Sequence, residues 1–457
     1  MTRISDDPAT SNPGSPPLTL PRILRYSCTS AGINLVGTTV SIWLLYFYAP
    51  PPDSNAVQYL PITQVGVLLT LSQVWGAVID PLIGHWSDTT RSRWGRRQPF
   101  LIGAAPLALI CTVLLWTPLD AFVSDRNSLY FLAITIAFFT STSFIGIPYD
   151  SSLPEMAKTP AGRVTLSMWK NIFGTVGVLL GAVIAAPLYV HASPKIMGLV
   201  VGSVSLLTVV GTVGVLPKTP PQPVKLSALQ AMRATLQNPQ FLRLAASTIL
   251  VQTAYAMLLA NLPYFVAVVL QGNEADVSRL QAVVVIAMIA AAPLWNWLGK
   301  RYRHRQLLLS SLMGLAIAAL LTALVGSIPG IPLWPHAFLS LVLIGPFLGG
   351  YLVLVYAMMG AVVDYDTYLT QTRREATYYG AFALAAGVGP AFAALLMPLI
   401  FERFGYTVAQ PLGVQLVFAG AGVMALLGAA VFRGYQLGDT LAESLQNLGH
   451  ASPHRRP

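Results

Sequence analysis

Charge is what this chain has least of. Asp, Glu, Lys and Arg make up 10% of its 457 residues while 54% are hydrophobic, and no soluble protein of that length covers so much apolar surface with so few charges. Cysteine is nearly absent as well. Cys28 and Cys111 each fall inside an apolar stretch, and the six histidines show no Cys/His spacing, so neither a disulfide nor a zinc site is expected. Ten-residue segments of alternating polarity are missing, which excludes a membrane β-barrel. The first twenty residues, rich in Pro, Ser, Thr and Asp, lack the apolar core and cleavage site of a signal peptide, so residues 1–20 are expected to form a disordered cytoplasmic tail.

What the chain does have is long apolar runs. They lie at roughly 23–48, 62–86, 98–117, 128–153, 168–190, 195–216, 243–270, 277–299, 305–327, 335–363, 376–400 and 410–433, about twelve helices of bilayer-spanning length. The fold class is therefore an all-α, multi-pass membrane protein. The net charge of +10 raises the question of a nucleic-acid partner, and the placement of the basic residues answers it. Arg91, Arg93, Arg96, Arg97, Lys158, Arg163, Lys218, Lys225, Arg233, Lys300, Arg301, Arg303, Arg305, Arg373 and Arg374 all fall in alternate loops. The positive-inside rule puts those loops and both termini in the cytoplasm of a plasma (inner) membrane, and no nucleic-acid motif competes.

Pro217-Lys-Thr-Pro-Pro-Gln-Pro223 breaks the pattern after the sixth span, marking residues 217–240 as a cytoplasmic linker. The halves echo each other. Asp80-Pro81-Leu82 followed by Arg91 to Gln98 matches Ala292-Pro293-Leu294 followed by Lys300 to Gln306, and Arg163-Val-Thr165 matches Arg374-Glu-Ala-Thr377. The expected organisation is two pseudo-symmetric six-helix bundles, 21–216 and 241–434, with a cavity near the midplane and a cytoplasmic tail at 435–457. In that tail Leu437, Leu441, Leu445 and Leu448 fit one short amphipathic surface helix.

The histidines form no nucleophile–base or metal constellation, since only His85 stands near a buried carboxylate, so an enzyme is not expected. No filter repeat or charged ring suggests a channel. A carrier working by alternating access fits best. Asp80 stands within the second apolar span, where an ionisable group costs several kcal/mol unless a proton, cation or partner compensates it.

The run Gly84-His-Trp-Ser-Asp88-Thr-Thr-Arg91-Ser-Arg93-Trp-Gly95-Arg96-Arg97 resembles the loop signature between the second and third helices of the major facilitator superfamily. With Asp80-Pro81 before it, it is similar to the glycoside–pentoside–hexuronide:cation symporter family, that of melibiose permease, with more distant likeness to plant sucrose carriers and lysolipid symporters. Val362-Val363-Asp364-Tyr365, Arg373-Arg374-Glu375, Ile147-Pro148-Tyr149, Leu153-Pro154-Glu155 and Arg163 resemble further loops of that family. The resemblance implies cation coupling at Asp80 and a cytoplasmic gate at Gly84, Asp88, Arg91, Arg93, Gly95, Arg96 and Arg97. Its counterpart in the second half would be Asp364 with Arg373 or Arg374. Departures matter too. The melibiose branch has a second aspartate where Gly76 stands, acids where Asn34 and Gly146 stand, and a lysine where Gly387 stands. One carboxylate supplies few oxygens for sodium, so a proton is favoured as coupling ion.

Asp150, one turn beyond Gly146, and Lys170 complete the expected coupling set, with Lys170 free to pair with Asp80, Asp150 or both. The expected substrate groups are Asn34, Gln73, Trp75, Tyr149, Lys170, Asn171, Gln252, Tyr255, Tyr356 and Tyr379, because sugars are held by planar hydrogen-bonding groups and aromatic faces. The function expected is symport of a sugar or glycoside with a cation by a monomer embedded in membrane lipid, without a cofactor. The alternatives are a lysolipid or other amphiphile carrier using Lys170 for a phosphate, and a non-transporting sensor.

Overall fold

The computed structural model describes residues 18–157, 159–217, 235–371 and 375–448. Twelve long helices succeed one another there: α1 (Leu20–Tyr48), α2 (Ile62–Thr89), α3 (Gln98–Leu114), α4 (Asp125–Ser151), α5 (Pro160–His191), α6 (Pro194–Val213), α7 (Pro239–Tyr264), α8 (Glu274–Gly299), α9 (His304–Ala323), α10 (Leu333–Thr370), α11 (Glu375–Phe404) and α12 (Leu412–Phe432). Eleven are long and apolar enough to cross a membrane. The exception, α3, has 17 residues and a rise of about 26 Å, the short end of a spanning length. Its helical bonding continues for one more turn through Leu115 and Trp116.

Polar residues set the helix starts. Ser124 caps α4 by accepting from the Asn127 backbone N–H, and Asn273 and Asp276 form a reciprocal capping box at α8, each satisfying donors that no preceding helical turn reaches. Prolines inside spans are tolerated where neighbouring helices, Ser/Thr side chains or local helix adjustments satisfy the backbone groups they free. Pro81 in α2 leaves the Ala77 carbonyl without its helical donor, one turn from Asp80.

Two compact units form. The first comprises Met1–Tyr48, Val57–Leu60 and Val74–Val224, and the second Ala49–Ala56, Pro61–Gln73 and Lys225–Pro457. In the first, α1 packs along α5 and α6, α6 along α3, and α3 along α4; in the second, α7 packs along α11 and α12, α12 along α9, and α9 along α10. The same pairings recur at an offset of six helices, as duplication requires. Small residues let backbones meet in both. A Cβ at Gly177 of α5 would lie 2.2 Å from the Ala31 carbonyl oxygen, and one at Gly345 of α10 would lie 2.4 Å from that of Val284 on α8, the close approach typical of membrane helices.

The second unit includes the first turns of α2. Thr70 Oγ1 donates to the Ala391 carbonyl at 3.1 Å, and the preceding loop is held by Tyr264 Oη on the Ala49 carbonyl (2.8 Å) and by the Val408 N–H on Asp53 (2.5 Å). Of the amphipathic surface helix expected through Leu437, Leu441, Leu445 and Leu448, only Leu441–Asn447 is helical; Leu437 lies before it, and Leu437 and Leu445 are buried against the protein. Residues after α12 are tied down at three places: Tyr435 Oη donates to the Met358 carbonyl at 2.8 Å, the Gln436 N–H to Gln240 Oε1 at 2.9 Å, and Asp439 pairs with His304 at 2.9 Å.

Candidate functional site

In the first unit, α1, α2, α4 and α5 carry the polar residues singled out from the sequence. Asp80 is half-buried on α2, and its Oδ1 is buried without a hydrogen-bond partner. Ser143 of α4 is the hydrogen-bonding neighbour of this carboxylate. Lys170 does not pair with Asp80. Its Nζ lies 2.6 Å from Asp150 Oδ1 and 5.4 Å from the centre of the Tyr149 ring, so α5 reaches α4 one turn beyond the Gly146 position. The reason is local: α4 ends at its C-cap Ser152, placing Asp150 on the last turn opposite α5.

Tyr149 is fixed from behind. Its ring stacks on Tyr26 of α1 at 4.6 Å, Tyr26 Oη donates to the Tyr149 carbonyl at 2.9 Å, and Tyr149 Oη donates to that of Tyr26 at 3.1 Å. Both phenols are buried, which gives each bond its full weight. Trp75 is exposed and donates its indole N–H to Thr140 Oγ1 at 3.0 Å. Asn34 donates to the Ser30 carbonyl at 2.8 Å, leaving its Oδ1 for another partner. Asn171 is exposed on α5.

In the second unit, Gln252 and Tyr255 are half-buried on α7 and Tyr379 on α11, while Tyr356 is exposed on α10 with its ring edge toward Phe382 at 5.9 Å. Gln73 clusters with this unit and has a buried Oε1 without a hydrogen-bond partner.

The motif arginines build a separate cluster in the first unit. Arg97 lies 3.2 Å from Asp88 and 3.1 Å from Glu155; Arg96 pairs with Glu155 and lies 3.8 Å from Asp88. Gly95 turns the chain into α3 with φ +106°, a conformation that disfavours a side chain. The cluster thus joins the end of α2, the start of α3 and the short helix Leu153–Met156. Burial pulls the Arg97 guanidinium below its ordinary value, and Glu155 pushes it back; arginine stays charged regardless. Arg91 and Arg93 are exposed, and Arg93 lies over the Trp94 ring at 5.3 Å. Gly84 packs toward Ile147 on α4. Asp364 is exposed on α10, and Arg373 and Arg374 lie outside the described residues.

Glu155 and Tyr26 are the additions the structure makes. Leu153-Pro154-Glu155 stands out in the sequence as a loop motif, without an indication that its carboxylate meets arginines 59 positions earlier. Tyr26 has no sequence signal beyond being an aromatic in a span.

Comparison with known proteins places these elements in a family. The chain matches the family described as MFS/sugar transport protein over residues 25–437. It is 25% identical over 288 residues to the inner membrane symporter YicJ of Escherichia coli, spanning 60% of each chain, and 23% identical over 403 residues to the glucuronide carrier protein homolog of the same organism, spanning 85% of this chain and 84% of the relative. The mouse sphingosine-1-phosphate transporter MFSD2B is 24% identical over 338 residues, spanning 67% of this chain and 66% of the relative. The fold matches a bacterial homologue of the human lysosomal transporter Spinster with a TM-score of 0.67 at 14% identity, covering 96% of this chain and all of that one. The chain is a multi-pass membrane protein of the MFS/sugar transport protein family, within the major facilitator superfamily.

Proposed function

We infer that this protein is a secondary carrier that takes up a sugar or glycoside together with a proton by alternating access, with Asp80 as the proton-binding carboxylate. The observation that carries the reading is the buried, partnerless Oδ1 of Asp80 inside a membrane-spanning helix. An ionised carboxylate left so is costly, and a proton removes the cost. Sodium requires several converging oxygens, whereas the turn before Asp80 holds Gly76 in place of a second carboxylate.

For the solute, Asn34, Trp75 and the Asp150–Lys170 pair supply the mixture of planar hydrogen-bonding groups and an aromatic face that sugars take, and the buried Tyr149 holds α4 in place behind them. The Asp150 partner of Lys170 favours a neutral solute over one with a phosphate headgroup, since this cation is already matched at 2.6 Å. Asp88, Arg96, Arg97 and Glu155 serve as a cytoplasmic lock that changes between states. The protein works as a monomer in the inner membrane with both termini in the cytoplasm, the orientation the basic loops favour.

Asp80→Asn tests the reading in vesicles. Uphill accumulation driven by a proton gradient is lost, and solute exchange down its own gradient persists. Concentrative uptake by the Asn variant overturns the assignment.

A further inference from the structure

The aromatic contacts between α1 and α4 lie at opposite ends of the pair. Tyr26 stacks on Tyr149 at one end, and Tyr48 meets Phe131 at 4.4 Å at the other. Between these pins α1 and α4 are not a closely packed pair, while α3 packs on α4 and α6, and α6 on α1. The result is a cavity of about 180 Å³ at mid-span, with Ile33, Val36 and Gly37 on the α1 side, Phe138, Phe139 and Ile145 on the α4 side, and mostly aliphatic residues of α3 and α6 behind.

Its lining is mostly apolar, with Ser205 of α6 adding one of three hydroxyls. The hydroxyls of Thr112 and Thr142, which line it, donate to their own helices, Thr112 to the Ala108 carbonyl at 2.7 Å and Thr142 to that of Phe138 at 3.0 Å. A cavity of about this size with an apolar lining stays dry and takes a benzene-sized guest.

The cavity adjoins the polar residues of the same unit. Helices α3 and α6 close its back, which leaves the gap between α1 and α4 as its open side. At the Tyr149 end of that gap Lys170, on the helix packed against α1, holds Asp150 of α4. Ile33 directly precedes Asn34, Phe139 directly precedes Thr140, the partner of Trp75, and a Cβ at Gly76 of α2 would lie 3.7 Å from Phe139.

We propose that this cavity receives the apolar aglycone of the transported glycoside, a group the size of a phenyl ring, with the sugar itself against Asn34, Asp150 and Lys170. The proposal rests on the glycoside reading above and narrows it: substrates are glycosides of small aromatic or branched alkyl alcohols, and free sugars bind weakly.

Gly37 provides the test, because it lines the cavity and a Cβ there meets nothing within 4 Å, so Gly37→Leu adds apolar bulk to the lining. Binding is measured by calorimetry on the purified full chain with methyl and phenyl pairs of β-D-glucoside, β-D-galactoside, β-D-xyloside and β-D-glucuronide. The phenyl member of the recognised pair binds about tenfold or more tightly, the order expected when a ring leaves water. Gly37→Leu removes that preference and keeps methyl-glycoside binding. As an independent probe, benzene raises the thermal midpoint of the wild type and not of Gly37→Leu. If a methyl glycoside binds and its phenyl partner binds no better, or if Gly37→Leu keeps the preference, the aglycone site is overturned while the glycoside reading stands. If no glycoside of either kind binds although benzene protects, the glycoside reading fails and the aglycone assignment with it. Absence of benzene protection refutes the cavity as a binding site.

Discussion

Neutralising Glu155 is predicted to loosen the arginine cluster far more than neutralising Asp88, although Asp88 belongs to the recognisable loop motif. The side chains of Arg96 and Arg97 are 3% and 7% exposed, and Glu155 is 13% exposed, whereas Asp88 is 42% exposed. Several guanidinium N–H groups of both arginines are already buried without hydrogen bonds, so little can substitute for a lost carboxylate. Removing one member of a buried charge set costs about 3–5 kcal/mol, because the remaining charge stays buried and unpaired. Losing a carboxylate as exposed as Asp88 costs about 1 kcal/mol or less. The lower bound of about 3 kcal/mol corresponds to roughly a hundredfold rise in the population of the opened loop, at about 1.4 kcal/mol per tenfold. Hydrogen exchange reads this directly. The Met156 and Ala157 amides, which donate to Ser152 and Leu153, exchange about a hundredfold faster in Glu155→Gln and less than about tenfold faster in Asp88→Asn. Equal effects, or the reverse order, would refute the assignment of Glu155 as the buried anchor.

Two further outcomes follow from the geometry. In double-mutant cycles on the thermal midpoint, Lys170→Ala couples to Asp150→Asn by about 0.2–1 kcal/mol, the range for a pair whose carboxylate is 60% exposed, and does not couple to Asp80→Asn; stronger coupling to Asp80 would reassign the lysine. Gly345→Val destabilises by about 1–3 kcal/mol through overpacking, since its Cβ meets the Val284 carbonyl at 2.4 Å, while Gly360→Ala, with nothing within 4 Å, is neutral or mildly stabilising. Equal midpoints for the two variants would contradict the close approach of α8 and α10.

The helices were legible because a twenty-residue apolar run has few alternatives in a chain with so little charge. The duplication was legible from paired loop motifs, and it reappears as helix pairings repeated six positions apart. The partner of Lys170 was only half legible: sequence spacing put Asp150 on the Gly146 side of α4 and left Asp80 equally available, and the choice depends on where α4 stops and how α5 crosses it. Glu155 was invisible in its role because nothing in a linear pattern joins charges 59 residues apart. The hydrophobic pattern likewise says that α2 spans, and not that Pro61–Gln73 clusters with the second unit while Asp80 stays with the first. Nor does periodicity disclose the gap between α1 and α4, which lies between aromatic contacts at both ends of the pair, where α1 carries Gly37 at mid-span.

The segment after α12 bears on biosynthesis. Tyr435, Gln436 and Asp439 hold α10, the start of α7 and the start of α9, and they leave the ribosome after every span of the second unit has been made. At about 5–20 residues per second, that unit waits in the membrane with these helix ends unbound until this stretch arrives, so quality control would meet an unfinished bundle in any chain interrupted between Phe432 and Leu445. Shortening the protein there removes the clasp that closes assembly, whereas extending it beyond Leu448 leaves the clasp intact.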